Sequence, residues 1–146
     1  MGLKQEFLTD SPEKTKKLGE ILAQSLMNSV LICLSGDLGG GKTTFAQGFA
    51  AGLGIKEKIT SPSFVLMKRY LLKKKGLKYF YHFDCYRLRE PEEILALGWE
   101  EILGDNNIVL VEWADKIAGY LPQGRIKIRF EILEERRREI IVTSNA

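Results

Sequence analysis

Apolar positions in this chain follow two periods, and the changes between them mark out its elements. Residues 30–34 and 108–111 are unbroken apolar runs, the pattern of strands buried on both faces. Residues 126–132 alternate instead, with Ile126, Ile128, Phe130 and Ile132 set against Lys127, Arg129 and Glu131. That spacing predicts a half-exposed strand, with 139–143 returning as its partner after the charged turn 134–138. Strands are also expected over 64–72 and 77–84, joined by the turn Lys73-Lys74-Lys75-Gly76, and over 3–9 around Phe7 and Leu8. Helical spacing runs over 12–26, where Leu18, Ile21, Leu22 and Leu26 share a face behind a start made of Asp10, Ser11, Pro12 and Glu13. It recurs at 42–53, where Phe45, Phe49 and Leu53 lie four apart and Gly52 and Gly54 provide the stop. Glu90-Pro91-Glu92-Glu93 opens another helix with Ile94, Leu95 and Leu97 packing and Gly98 near its end, and 99–103 add a further turn.

Composition narrows the class. A chain of 146 residues, 45% hydrophobic and 28% charged, is one globular domain spanning 1–146. The net charge of +3 suits anionic ligands without arguing for nucleic acid. No run approaches the roughly 18–20 apolar residues of a membrane span, and the first ten residues lack a signal-peptide core. A cytoplasmic protein is expected. Cys33 and Cys85 sit singly inside apolar runs, as buried thiols of a reducing compartment do. With one histidine and two scattered cysteines there is no zinc ligand set. Six of the eleven residues from 68 to 78 are basic, which fits a solvated hairpin tip guarding an edge strand, or a contact with RNA or an acidic partner. The arginines at 136–138 are solvated charge at a hairpin tip, or supply one guanidinium (Arg137 or Arg138) to a nucleobase.

The chemistry gathers where the first buried run ends. Gly36, Gly41, Lys42 and Thr43 match G-x-x-x-x-G-K-[ST], with a strand before and a helix after, as a phosphate cradle requires. The nucleotide-binding stretch is expected to run from Asp37 and Leu38 through Gly39, Gly40 and Gly41 to Lys42, Thr43 and Thr44. Its glycines let successive backbone amides converge on phosphate oxygens. Lys42 would reach the β- and γ-phosphates, Thr43 would offer its hydroxyl to Mg²⁺, and Thr44 would bond the α-phosphate. Glu112 ends the second buried run in the manner of a Walker B acid, at the sheet edge where ligands of open α/β folds bind. Asp84, ending its own strand, would bind Mg²⁺ directly or through water, or orient the attacking water. His82 shares the face of Asp84 and is either a satisfied core residue or part of the site. Ser61 and Ser63 lie in Thr60-Ser61-Pro62-Ser63-Phe64, a plain turn or a sensor of the terminal phosphate. Trp113 shapes the site by packing beside the nucleotide. Arg87 is a candidate arginine finger, although no such group is evident within the chain. Nothing forms an acceptor pocket or a lid, which favours hydrolysis used as a switch, slow without a partner's charge. The alternatives are a small-molecule phosphotransferase and a non-hydrolysing, nucleotide-gated interaction module.

Four motifs together resemble the TsaE (YjeE) family of bacterial P-loop ATPases. They are Gly36-Asp37-Leu38-Gly39-Gly40-Gly41-Lys42-Thr43-Thr44, Thr60-Ser61-Pro62-Ser63-Phe64, His82-Phe83-Asp84-Cys85-Tyr86-Arg87-Leu88 and Val111-Glu112-Trp113-Ala114-Asp115. The likeness covers about residues 10 to 140. It implies a three-layer α/β P-loop NTPase fold, its sheet mostly parallel with antiparallel hairpin additions. It also implies Mg²⁺-dependent ATP hydrolysis supporting threonylcarbamoyladenosine formation beside the tRNA anticodon. Partners of the TsaB and TsaD type are implied, the TsaD-like subunit carrying the transfer chemistry, so that tRNA is engaged indirectly. By the same resemblance Thr43 and Glu112 occupy Mg²⁺ positions, and Asp84 that of a carboxylate important for hydrolysis. Gly40 stands where alanine is common and Ser63 where threonine is common, each keeping the needed size or hydroxyl. The Arg137-Arg138 region does not align cleanly, so no adenine contact carries over to it.

Overall fold

A computed structural model describes residues 2–37, 39, 41–59 and 66–145, with Asn145 as backbone only. Its strands are β1 (Gly2–Thr9), β2 (Val30–Gly36), β3 (Met67–Leu71), β4 (Tyr79–Asp84), β5 (Ile108–Glu112), β6 (Ile126–Ile132) and β7 (Arg138–Asn145). They make one seven-stranded sheet in the order β1-β7-β6-β2-β5-β4-β3. The central strands β6, β2, β5 and β4 are mutually parallel. β3 adds an antiparallel edge beside β4, and β7 and β1 extend the opposite side antiparallel. Sequence pattern and position agree: β5 is buried along its whole length, whereas β6 buries Ile128 and Phe130 and exposes Lys127 and Arg129.

Helices α1 (Pro12–Ser25) and α2 (Lys42–Gly52) cover one face, where Phe45 and Phe49 pack on Ile32, Phe80, Leu110 and Phe130. The other face is covered by a 3₁₀ segment (Pro91–Leu97), α3 (Trp99–Leu103) and a second 3₁₀ segment (Ala114–Tyr120). There Ile94, Trp99 and Ile117 pack on Cys33, Phe83 and Val111. Helices, sheet and helices make the expected three layers. Cys33 and Cys85 are both free and buried.

Three local expectations change. The inner stripe of α1 is Thr15, Leu18, Gly19, Leu22, Ala23 and Leu26, while Ile21 is 53% exposed. Small residues take the inward positions because the two helix backbones nearly touch: a Cβ on Gly19 would collide with Phe45 O, and one on Gly48 with Lys16 O. Gly52, likewise set against Glu20 O, is a spacer at the end of α2, which leaves the stop to Gly54. The segment opening at Glu90 is a 3₁₀ helix with a reciprocal Glu90–Glu93 capping box, and its Leu95 is exposed. The Ala114–Tyr120 segment carries no helical period in the sequence, because only Ala114 and Ile117 are buried in it and two positions define none.

Candidate nucleotide site

Parallel register sets the carboxyl ends of β2, β5 and β4 side by side, with Leu34 opposite Glu112 and Glu112 opposite Asp84. The loop leaving β2 therefore opens beside two carboxylates. Gly36 has φ +118 and approaches β6 so closely that a Cβ would collide with Phe130 O, which only glycine avoids. Asp37 stitches the loop to β6: its N–H donates to Phe130 O at 3.0 Å, and its Oδ2 accepts from Ile132 N at 3.0 Å. Gly39 is exposed in the loop. Gly41, at φ +103, is the N-cap of α2 and makes no side-chain capping bond. The amides of that first helical turn face the loop together with the positive end of the helix dipole. Leu38 and Gly40 lie outside the described residues, as do Ser61 and Ser63 of the expected phosphate sensor.

Lys42, only 5% exposed, is gripped at its tip. Its Nζ donates to Gly36 O at 3.1 Å and Asp37 O at 2.7 Å, and lies 4.1 Å from the centre of the Trp113 ring. Burial lowers its pKa, against the pull of the Glu112, Asp37, Asp115 and Asp84 carboxylates. Trp113 does more than pack. It is the one non-glycine residue among those described with positive φ, at 59°, a left-handed conformation that costs about 1–2 kcal/mol. That turn directly after β5 puts its ring beneath Lys42 and edge-on to Tyr86, at 4.9 Å between centroids.

Glu112 is 2% exposed, and both its oxygens are engaged. Oε1 accepts from Thr43 Oγ1 at 2.9 Å, and Oε2 lies 2.6 Å from Nε2 of the fully buried His82. Thr43 gives its one hydroxyl proton to this bond and keeps its oxygen lone pairs as acceptors or ligands. Asp84, half-buried, accepts the Tyr86 N–H on Oδ1 at 3.0 Å. Among the described residues no cluster of three or more His, Cys, Asp or Glu could hold a metal. The donors gathered here, a hydroxyl and carboxylates, are all oxygen and few. That suits Mg²⁺, which takes one or two protein oxygens and completes its shell with phosphates and water.

Beside the loop lies a cleft of about 470 Å³ whose lining includes Ser11, Thr15, Gly41, Thr44, Arg136 and Arg138. It joins the start of α1, the loop after β2 and the tip of the β6–β7 hairpin. Arg138 braces that tip, its Nη1 donating to Glu134 O and Glu135 O at 3.1 Å each, while Arg137 pairs with Glu134 at 3.5 Å.

The family model for the threonylcarbamoyl adenosine biosynthesis protein TsaE matches residues 9–140. The chain belongs to the TsaE family. Similar proteins named tRNA threonylcarbamoyladenosine biosynthesis protein TsaE occur in Rickettsia felis and Bacillus subtilis. The Rickettsia felis protein is 39% identical over 141 residues, covering 96% of this chain and 80% of its own. The Bacillus subtilis protein is 39% identical over 139 residues, covering 95% and 85%. The crystal structure of Bacillus subtilis YdiB matches with a TM-score of 0.79 at 35% identity, covering 100% of this chain and 88% of that one. Of the residues expected at this TsaE-family site, Asp37, Lys42, Thr43, Asp84, Glu112 and Trp113 converge at the strand ends, and Gly39, Gly41 and Thr44 line the cleft. Sequence reasoning missed the His82–Glu112 bond, although the shared face of His82 and Asp84 pointed towards it. Trp113 stands out in the sequence as a residue packing at the site, but its place beneath Lys42 does not.

Proposed function

We propose that this TsaE-family chain binds and hydrolyses ATP with Mg²⁺ to drive a complex, with TsaB-type and TsaD-type partners, that forms threonylcarbamoyladenosine in tRNA. The observation that carries the ATPase reading is the 2.9 Å bond from Thr43 to Glu112. It joins the residue after the loop lysine to the acid that ends the neighbouring strand, the pairing a phosphate-bound cation needs. The pathway follows from the names of the relatives, and the partners from the family resemblance.

In this reading the loop and α2 amides bind the phosphates, and Lys42 neutralises charge on the β- and γ-phosphoryl groups. Thr43 and Glu112 would hold Mg²⁺, with Asp84 beside them; when bound, the ion offsets charge that develops on the transferred group. Asp84 orients the attacking water. Trp113 holds the Lys42 ammonium at the loop, and the cleft between Ser11 and Arg138 receives ribose and base. A partner supplies further charge stabilisation, so the isolated chain turns over slowly.

Lys42→Ala tests this. In the reconstituted complex it should cut ATP turnover by about 100-fold or more and stop tRNA modification while leaving the fold intact. Full turnover by that variant would sink the reading. Phosphate released into solution, rather than carried on an acceptor, separates hydrolysis from phosphotransfer.

A further inference from the structure

Glu112 has two holders, and only Thr43 belongs to the phosphate loop. The other, His82, is the one histidine of the chain and is fully buried. Strand register places it opposite Leu110, two positions before Glu112 on β5. The Phe80 ring lies nearly parallel to it, with planes 10° apart and centroids 6.4 Å apart. Its Nδ1 has no hydrogen-bond partner among the described residues. A buried polar atom left unpaired is costly, and an apolar side chain would fill this position without that penalty. What the imidazole adds is one donor, aimed at 2.6 Å onto Glu112 Oε2. With Nε2 as the protonated nitrogen, Nδ1 is left as a bare lone pair, the less costly group to bury unpaired. A carboxylate held by donors from both β4 and α2 has one orientation.

We propose that His82 is a positioning residue: its Nε2–H locks Glu112 in the orientation that serves Thr43 and the divalent cation accompanying the nucleotide. The inference rests on the Mg²⁺–ATP reading above. His82 touches neither nucleotide nor water; it acts through Glu112.

The test compares His82→Gln, whose amide N–H reaches the place of Nε2–H, with His82→Asn, equally polar but too short. ATP binding is measured with and without Mg²⁺, turnover is followed against Mg²⁺ concentration, and thermal unfolding is recorded without ligand. Without Mg²⁺, both variants should bind ATP within about twofold of the unmutated chain, since Lys42 and the loop amides are untouched. With Mg²⁺, His82→Asn should lose about 10–100-fold in kcat and in the Mg²⁺-dependent tightening of ATP binding, whereas His82→Gln stays within about threefold. If the two variants are equally impaired or equally intact, or if the Asn defect only follows its melting temperature, His82 is a core residue alone and the proposal falls. Should the Asn variant not fold, ¹⁵N NMR of the single imidazole decides. A protonated, hydrogen-bonded Nε2 that persists on adding Mg²⁺–ATP supports the proposal, and its loss overturns it. A wild-type chain whose ATP binding ignores Mg²⁺ would overturn the site reading and this inference together. Mg²⁺ dependence in the wild type with no difference among variants overturns this inference alone.

Discussion

Burial decides the chemistry of Cys33 and Cys85. It pushes each thiol up to about 12 from an ordinary 9.0, so at pH 8 only about one molecule in ten thousand carries a thiolate at either position. Iodoacetamide at pH 8 should therefore leave the native chain unlabelled and modify both cysteines once it is unfolded; labelling of the folded chain at the unfolded rate would contradict their placement. Alkali acts through the same groups. Above pH 9 the unfolded chain sheds these protons while the folded chain keeps them, so their contribution to stability drains away from pH 9 towards 12. Lys42 runs the other way. Burial lowers its pKa, so the folded chain carries that ammonium at some expense of stability, a usual mark of a functional site.

At the scale of elements, α1 and α2 are held apart by almost nothing. Gly48→Ala improves helix propensity by about 1 kcal/mol, yet its Cβ would be driven into the Lys16 carbonyl. Overpacking against backbone costs about 1–3 kcal/mol or more, and here no flexible side chain can yield. Denaturant unfolding should show net destabilisation of about 1–2 kcal/mol or greater, while Gln24→Ala on the exposed side of α1 stays near zero. The same contact explains what the sequence concealed. Central strands were legible because an unbroken apolar run such as 108–111 has few other uses. The inner stripe of α1 was not, because Thr15, Gly19 and Ala23 carry little hydrophobic signal, and Ile21 drew attention to the wrong face. The site divides similarly. Phosphate chemistry would fix residue types within one contiguous loop, so Lys42 and Thr43 stand out in the sequence, and the fold sets both beside Glu112. The His82–Glu112 bond depends on how β4 registers against β5, which no local pattern encodes.

Across the whole molecule, the proposed nucleotide site draws on β2, β4, β5 and α2, so a nucleotide bound there should stabilise the fold rather than one loop. If it binds as proposed, Mg²⁺–ATP at 100 times its Kd would contribute about 2.7 kcal/mol, which for a chain of this size would raise Tm by roughly 5–10 °C. Thermal denaturation should show that rise in the wild type and little of it in Lys42→Ala; equal shifts in both would place ATP elsewhere. The layer order and parallel centre, in a fold that matches YdiB with a TM-score of 0.79, were implied by the resemblance to the TsaE family. Of the pairings that close the sheet, the β3–β4 hairpin was legible as two strands joined by a turn, whereas the pairing of β1 with β7, distant in sequence, was not.

One of those pairings joins the two ends of the described chain. β1 lies at the edge of the sheet and bonds only β7, with Gly2 opposite Asn145 and Thr9 opposite Arg138. On the ribosome, β1 must wait for β7, which follows it by more than a hundred residues. At about 5–20 residues per second that wait lasts roughly 7–30 s, during which Phe7 and Leu8 have no sheet to join. The parallel centre and the loop after β2 can assemble before β1 has a place, so β1 is seated only once β7 has been made.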